Sequence, residues 1–203
     1  MTATEFITHV EVKLNRIDTN AYEDVRPEEV IFFANNALKA LTLAFDLGMY
    51  SQLVDKSAIN TYLASLIVPQ TEVNLTANAY TLPATVLKFK DMEVNVTKGT
   101  ETAWCTTRFL DNNNKSIRED NPFTKSFPDT PVFRLINSKI QFDVSDFTCN
   151  KIRFEYLKTP TVIEDSSTLT YPFMEELEDK TVTLILENLE AQRLQTQPVV
   201  SKS

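Results

Sequence analysis

The sequence predicts an α+β protein in which helices from both ends of the chain form a bundle and an antiparallel β domain lies between them. Apolar side chains recur at helical spacing near the start, alternate with polar ones in the middle, and precede an acidic amphipathic segment near the end. The predicted parts are a helical part at 1–68 that residues 171–195 complete, a β domain at 69–160 and a C-terminal tail at 196–203.

The first helix is predicted to begin at a capping box and to end near Arg16. Thr2 and Glu5 have the spacing at which each side chain accepts a hydrogen bond from the other residue's backbone N–H. The positions expected to face inward are Phe6, Val10, Lys13, Leu14 and Ile17.

Two more helices are predicted before the β domain. Pro27 suits a first helical position, and Gly48 suits the left-handed residue that follows a last turn. The expected inward stripe of this second helix is Val30, Phe33, Ala34, Ala37, Leu38, Leu41 and Phe45. The third helix is predicted at Ser51–Leu66, with Leu53, Ile59, Leu63 and Leu66 inward.

Short strands follow, in a region where β-branched and aromatic residues are frequent. They are predicted at Glu72–Leu75, Ala79–Leu82, Lys90–Thr97 and Ala103–Leu110, the last of which carries Trp104 and Phe109. A turn at Lys98-Gly99-Thr100 is expected to join the last two strands as a hairpin. Asp111–Lys115 is predicted as a polar loop and Asn121–Pro128 as irregular chain anchored by Phe123 and Phe127.

Three strands with clear alternation end the β domain: Val132–Ile136, Lys139–Val144 and Lys151–Pro160. We expect them to pair as one sheet with one solvated face, because Ile140, Phe142 and Val144 alternate with polar residues. Asn137-Ser138 is the predicted hairpin turn, and pairing is expected to end at Pro160, which has no N–H to donate.

The final helix is predicted to start at Tyr171-Pro172-Phe173, with acidic residues in its first turns where the helix dipole favours negative charge. Its expected buried stripe is Phe173, Leu177, Leu184, Ile185 and Leu189, and its expected solvated positions are Glu187, Glu190 and Arg193. The tail beyond it is predicted to be either disordered or docked on a partner.

Composition excludes several classes of function. The net charge of −8, from 28 acidic and 20 basic residues, argues against a protein that grips nucleic acid, although an acidic wall can surround DNA without binding it. The two glycines, Gly48 and Gly99, are too few for a phosphate-binding loop or a dinucleotide fingerprint. His9 is the sole histidine, so a multi-histidine zinc site is excluded, and we expect it to be a surface residue.

Cys105 and Cys149 lack the short spacing of metal or redox motifs, so we expect buried free thiols. No apolar run approaches the roughly 20 residues that span a bilayer, and the first residues lack the features of a secretory signal. We therefore expect a protein that folds in a cytosol and has no membrane partner.

The order of elements resembles the tail tubular protein A family, the head-to-tail adaptors of short-tailed bacteriophages. The resemblance rests on Tyr80-Thr-Leu-Pro83, the hairpin from Pro131-Val-Phe-Arg-Leu135 to Ile140-Gln-Phe-Asp-Val144, and Ile152-Arg-Phe-Glu-Tyr-Leu-Lys-Thr-Pro160 before an acidic helix. Asn121-Pro-Phe123 is also similar to the ring proteins of crAss-like phages. The chain departs from the family at the Asn137-Ser138 turn, where glycine is usual, and at Ser145–Cys149, where a proline-rich step is usual.

The resemblance implies a structural virion protein without catalytic, cofactor-binding or metal-binding residues. It implies a closed ring of about twelve copies, held by one heterologous interface that repeats until it closes. Such a ring sits at the portal-tail junction, is assembled in the host cytoplasm, binds the portal and other tail or ring proteins, and lets genomic DNA pass without sequence-specific binding. The residues expected to dock on the portal are Leu194, Pro198, Val199 and Val200.

Two alternatives remain open from the residues themselves. A cell-wall-degrading enzyme would need two carboxylates across a cleft, for which Glu175 with Glu178, or Glu28 with Glu29, are the candidates. Glu175 and Glu178 are expected at a solvated helix start, where the helix dipole also explains acidic residues. A carbohydrate- or protein-binding module would present Trp104, Phe123 and Phe127 on a sheet face, although such aromatic residues usually form core.

Overall fold

A computed structural model describes residues 1–17, 25–49, 55–110 and 125–196, without the side chains of residues 70, 71 and 193–196. The predicted α+β class is confirmed, with N-terminal helices, a C-terminal helix and a central β domain. The chain divides into two compact units, Met1–Ser65 with Pro160–Ser203 and Leu66–Thr159.

The helical unit contains α1 (Ala3–Ile17), α2 (Pro27–Asp46), α3 (Lys56–Leu66) and α4 (Met174–Thr196). The last of these returns to pack against α1 and α2, as the sequence predicts. At the centre, the Phe173 ring lies 4.9 Å from the Phe45 ring and 5.0 Å from the Tyr62 ring, between centroids. The aromatic residue that precedes α4 therefore ties the C-terminal helix to α2 and α3.

The helix ends follow the sequence signals closely. Thr2 N–H donates to Glu5 Oε2 (2.8 Å) and Glu5 N–H donates to Thr2 Oγ1 (3.2 Å), so the capping box is formed. After α2, Gly48 has φ +76°, and Met49 N–H donates to Ala44 O at 2.9 Å. These features form a Schellman motif, which satisfies carbonyls that the end of a helix leaves without partners.

Some predicted inward positions are wrong. Ile17 is 63% exposed, because it lies in the last turn of α1, and Phe33 and Leu41 are only half-buried. The sequence analysis did not predict the burial of Thr42 and Thr181. Each hydroxyl donates to the carbonyl oxygen four residues earlier, so the buried side chain keeps a hydrogen-bond partner. Phe173, before α4, and Leu177 and Ile185 on it are buried as predicted. Leu184 and Leu189 are half-buried, and Glu178 and Val182 are buried without having been predicted.

The segment between the β unit and α4 is fixed by backbone-like pairing. The Asn35 side chain on α2 donates from Nδ2 to Ile163 O (3.0 Å) and accepts from Ile163 N–H at Oδ1 (2.7 Å). Farther along, Ala3 N–H donates to Ser167 O (3.0 Å) and Leu169 N–H donates to Met1 O (2.8 Å). Both α1 and α2 thus hold the chain that leads into α4.

In the part of the chain that the structure describes, the β unit is a sandwich of two four-stranded sheets. Its strands are β1 (Ile67–Asn74), β2 (Ala79–Thr81), β3 (Val86–Lys98), β4 (Glu101–Thr106), β5 (Arg108–Phe109), β6 (Val132–Ile136), β7 (Lys139–Asp143) and β8 (Thr148–Lys158). Sheet one has the order β1-β8-β3-β4 and sheet two the order β2-β7-β6-β5. All pairs are antiparallel except β5 with β6, and the core between the sheets includes Val94, Phe142 and Phe154.

The predicted three-stranded sheet is wrong. β6 and β7 pair in sheet two, whereas β8 pairs with β1 and β3 in sheet one. The chain crosses between the sheets after β7, which ends one residue before the prediction and leaves Val144 36% exposed. Phe147 and Cys149 then enter the shared core, so the alternating apolar residues of all three strands face it from opposite sides.

A second predicted strand, Ala103–Leu110, is divided between the sheets. β4 ends at Thr106 in sheet one, and β5 begins at Arg108 in sheet two. The break falls at Thr107, whose hydroxyl donates to Met92 O at 3.1 Å and holds the chain at the corner. Phe127 is 47% exposed, so its predicted anchoring role is wrong, and Asp111–Lys115 and Phe123 lie outside the described residues.

The hairpin turns are as predicted. Asn137 and Ser138 have φ +48° and +59°, the left-handed pair of a type I′ turn, which joins Ile136 to Lys139. Gly99 has φ +63° in the turn that joins Lys98 to Glu101. Both two-residue turns fix the register of the strands that they connect.

Candidate interaction surfaces

The predicted portal-docking residues belong to the C-terminal stretch of the chain, where α4 ends at Thr196. Pro198, Val199 and Val200 lie outside the described residues, as does the side chain of Leu194 on α4.

A charged cluster joins α1 to α4. Lys13 Nζ lies 2.9 Å from Glu178 Oε2 and 2.5 Å from Asp179 Oδ1, and His9 Nδ1 lies 3.0 Å from Glu178 Oε1. Burial lowers the pKa of Lys13, but the hydrogen bonds to the two carboxylates outweigh it, so the net shift of that pKa is upward. The cluster therefore holds a lysine in its charged form at the interface of two helices.

Glu178 is 6% exposed, so the expectation that it lies at a solvated helix start is wrong. Its carboxylate points to α1, where it is paired, while Glu175 is exposed. In the other candidate pair, Glu29 Oε2 accepts from Arg26 N–H at 3.0 Å and so caps α2, next to an exposed Glu28. The buried carboxylate Glu178 and the capping carboxylate Glu29 thus contribute to helix packing and capping.

The outer face of sheet one carries ion pairs and an aromatic ring. Arg153 Nε lies 2.5 Å from Glu93 Oε2, and the Arg153 guanidinium carbon lies 4.5 Å from the centre of the Trp104 ring. Lys151 Nζ lies 2.6 Å from Glu72 Oε1 on the neighbouring strand. Such exposed cross-strand pairs each contribute less than about 1 kcal/mol, so they set the polarity of the face more than its stability.

Of the aromatic residues predicted for a binding platform, the two that the structure describes do not share one face of sheet one. Trp104 is half-buried beneath Arg153 on the outer face of sheet one. Phe127 lines a cleft at the inner face of the same sheet, and Phe123 lies outside the described residues.

That cleft lies at the edge of the sandwich, beside β4, and has a volume of about 380 Å³. Its lining residues are Val96, Lys98, Glu101, Ala103, Cys105, Phe127, Pro128 and Asp129. Lys98 Nζ lies 2.8 Å from Asp146 Oδ2, and this contact raises the pKa of Lys98 and lowers that of Asp146. The cleft therefore combines an apolar floor with a rim on which one lysine is already paired.

Both cysteines are free thiols, and the expected burial is confirmed for Cys149, while Cys105 is half-buried. Burial, and then the neighbouring Cys105, raise the pKa of the Cys149 thiol to about 12. Burial and Asp129 raise the pKa of Cys105. Because β3 lies between the two strands that carry them, the thiols are spaced too far apart to form a disulfide without movement of the sheet.

In the part of the chain that the structure describes, no group of three or more His, Cys, Asp or Glu side chains is arranged to hold a metal ion. Across the same residues, no helix combines the length and the apolar character needed to cross a membrane. No protein-family model matches the chain. The search of curated proteins likewise gave no match.

Proposed function

We propose that this chain is a structural virion protein that forms a ring between the portal and the tail of a short-tailed bacteriophage, where it extends the DNA channel. The observation that carries the proposal is the insertion of a β sandwich between α3 and α4 of a helical unit. This is the order of elements on which the resemblance to the head-to-tail adaptors rests.

Exposed apolar side chains on the helical unit also support the proposal. Phe32 on α2 is 62% exposed, and Leu47 and Met49, at the end of the same helix, are 65% and 66% exposed. Burying a phenylalanine side chain of this kind contributes about 1.5–3 kcal/mol to an association. Exposed phenylalanine, leucine and methionine are side chains that a repeating heterologous interface buries.

The charge of the chain suits a channel. With a net charge of −8, a ring of several copies carries a large negative charge, which repels the phosphate backbone. DNA then passes through the ring without binding to the wall, because a negatively charged wall does not displace the counterions of the phosphate backbone, as lysine and arginine would. Like charge between copies opposes assembly, so the apolar contacts have to outweigh it.

In this proposal, the helical unit and the C-terminal tail face the portal, and Leu194, Pro198, Val199 and Val200 dock on it. The β sandwich then offers surfaces to other tail or ring proteins. The complete ring is part of the virion at the portal-tail junction.

The test is assembly with purified portal. We expect light scattering and negative-stain images to show closed rings of the chain, either alone or in the mixture, and in the mixture we expect these rings to be seated coaxially on the portal. Monomers in both conditions would overturn the proposal. Because an acidic protein can associate non-specifically at low salt, the mixture is compared at low and physiological ionic strength, and only the seated ring supports the adaptor function.

A further inference from the structure

We propose that the open edge of β4, together with the cleft beside it, binds an extended segment of a partner protein that carries an apolar residue and a lysine or arginine two positions apart. This site lies in the β unit and stands whether or not the chain forms a ring.

The four sheet edges differ in how they are protected. β1 contains Pro69 and a register shift between Val68 and Thr71, two features that discourage pairing with a further strand. β2 and β5, the edges of sheet two, have three and two residues. β4 is a six-residue edge without proline, and its register with β3 is continuous from Thr106 to Glu101.

The register shows which backbone groups of β4 point outward. Lys98 and Glu101 flank a two-residue turn, so they form a hydrogen-bonded pair. In an antiparallel ladder such pairs alternate with non-hydrogen-bonded ones, so the N–H and C=O groups of Thr102, Trp104 and Thr106 point away from β3. Among the described residues, no strand pairs with this edge. An added strand would find three donors and three acceptors in line.

The cleft supplies the side-chain recognition. Glu101, Ala103 and Cys105 alternate onto the inner face of β4, where the cleft continues to Phe127 and Asp129. Every second side chain of an added strand enters this space, and the others lie beside Trp104 on the outer face. Ala103 and Phe127 provide apolar contact for one of the entering side chains.

The charge of the cleft rim determines which kind of side chain suits the second entering position. The rim carries the carboxylates of Glu101 and Asp129, and the lysine that lines the cleft, Lys98, is paired with Asp146. The field of Asp129 reaches into the cleft, since it contributes to the raised pKa of Cys105. The rim is therefore negative overall, and a lysine or arginine two residues from the apolar side chain complements it.

The first experiment measures hydrogen exchange of the β4 amides in the free protein. We expect fast exchange at Thr102, Trp104 and Thr106 and slow exchange at Ala103 and Cys105, because only the latter donate to β3. Equal protection at all five amides would show that the edge is already covered, and would overturn the proposal.

The second experiment titrates the full chain with the peptide acetyl-Val-Thr-Lys-Thr-Val-Thr-amide and follows backbone NMR shifts. We expect the largest shifts at residues 101–106 and at Asp129. Replacing the peptide lysine with glutamate is expected to weaken binding about tenfold, and N-methylation throughout is expected to abolish it, because it removes the main-chain donors.

Protein variants complete the test. Asp129→Asn should weaken binding about fivefold, whereas the control Asp165→Asn, which changes the net charge equally at an exposed position of the helical unit, should not. Thr102→Pro should abolish binding, because it removes an outward donor and leaves the ladder with β3 intact. Shifts elsewhere than β4, equal binding of the N-methylated peptide, or equal effects of both Asn variants would each overturn the proposal.

Discussion

Ser138 has a backbone conformation that residues other than glycine and asparagine rarely adopt. Its φ of +59° is required because the type I′ turn places both central residues in the left-handed region. The same requirement falls on Ala77 and Asn78, with φ +51° and +59°, in the turn before β2. Asparagine at 78 and 137 is predictable from turn chemistry, but Ala77 and Ser138 are held there by the strands on either side.

We predict that Ser138→Gly stabilises the protein by about 0.5–1 kcal/mol, because glycine adopts φ > 0 without the steric cost of a Cβ atom. The measurement is the free energy of unfolding in urea. Ser138→Ala is the matched control, since it removes the hydroxyl but keeps the Cβ, and it should not be stabilising. A gain in both variants would mean that the hydroxyl, not the backbone conformation, carries the cost.

The raised pKa of the Cys149 thiol predicts how the free energy of unfolding depends on pH. Its pKa is about 12 in the folded protein and 9.0 as the ordinary value, so the unfolded chain loses the thiol proton first. Stability is therefore retained below pH 9 and falls as pH rises from 9 towards 12, by up to about 1.4 kcal/mol per pH unit from this group.

The check is the free energy of unfolding between pH 7 and pH 10.5. Cys149→Ala is expected to be less stable at pH 7, since it leaves a small cavity in the core, but to lose less stability above pH 9. Identical slopes for the two proteins would contradict the assignment. Cys105→Ala, at the half-buried thiol, is the comparison.

At the scale of elements, the sequence predicted the positions of the helices and strands better than it predicted which strands pair with each other. The alternation of Ile140 and Phe142, and of Ile152 and Phe154, correctly marks the faces that are buried. It does not say which sheet each face belongs to, because two inner faces of a sandwich have the same pattern. β8 therefore lies centrally in sheet one, where the sequence suggested a neighbour of β7.

Asn35 is an element-scale feature that the sequence did not reveal, since a polar residue on a helix usually faces solvent. We predict that Asn35→Ala destabilises the helical unit by about 1–3 kcal/mol, because Ile163 N–H and C=O lose their partners. The control is Asn36→Ala on the next position of α2, expected within about 0.5 kcal/mol of the wild type. Thermal unfolding measures both, and equal losses would contradict the role assigned to Asn35.

At the scale of the whole molecule, the proposed ring requires a surface that is apolar and yet dispensable for folding. Phe32 fits that description, because it is 62% exposed and its ring contacts the neighbouring Phe33 at 5.4 Å between centroids. A change there should affect association far more than stability.

We therefore predict that Phe32→Ser lowers ring formation at least about tenfold, since about 1.4 kcal/mol per copy suffices for that factor. The melting temperature should stay close to that of the wild type. Sedimentation velocity measures the ring, and Val162→Ser, at an exposed valine of the same unit, serves as the comparison. Unchanged assembly of the Phe32 variant would show that this surface of α2 lies outside the ring interface, and it would not argue against the ring itself.

The sequence by itself determined the class of fold, the helix caps, the two hairpin turns and most of the core, because these follow from local periodicity and backbone preference. The tertiary structure alone decided that β8 joins β1 and β3, that Glu178 is buried against Lys13, and that β4 is an open edge among the described strands. These features depend on contacts between residues far apart in the chain. Local pattern fixes which side chains are apolar, whereas the competition among all possible partners fixes where each one is buried.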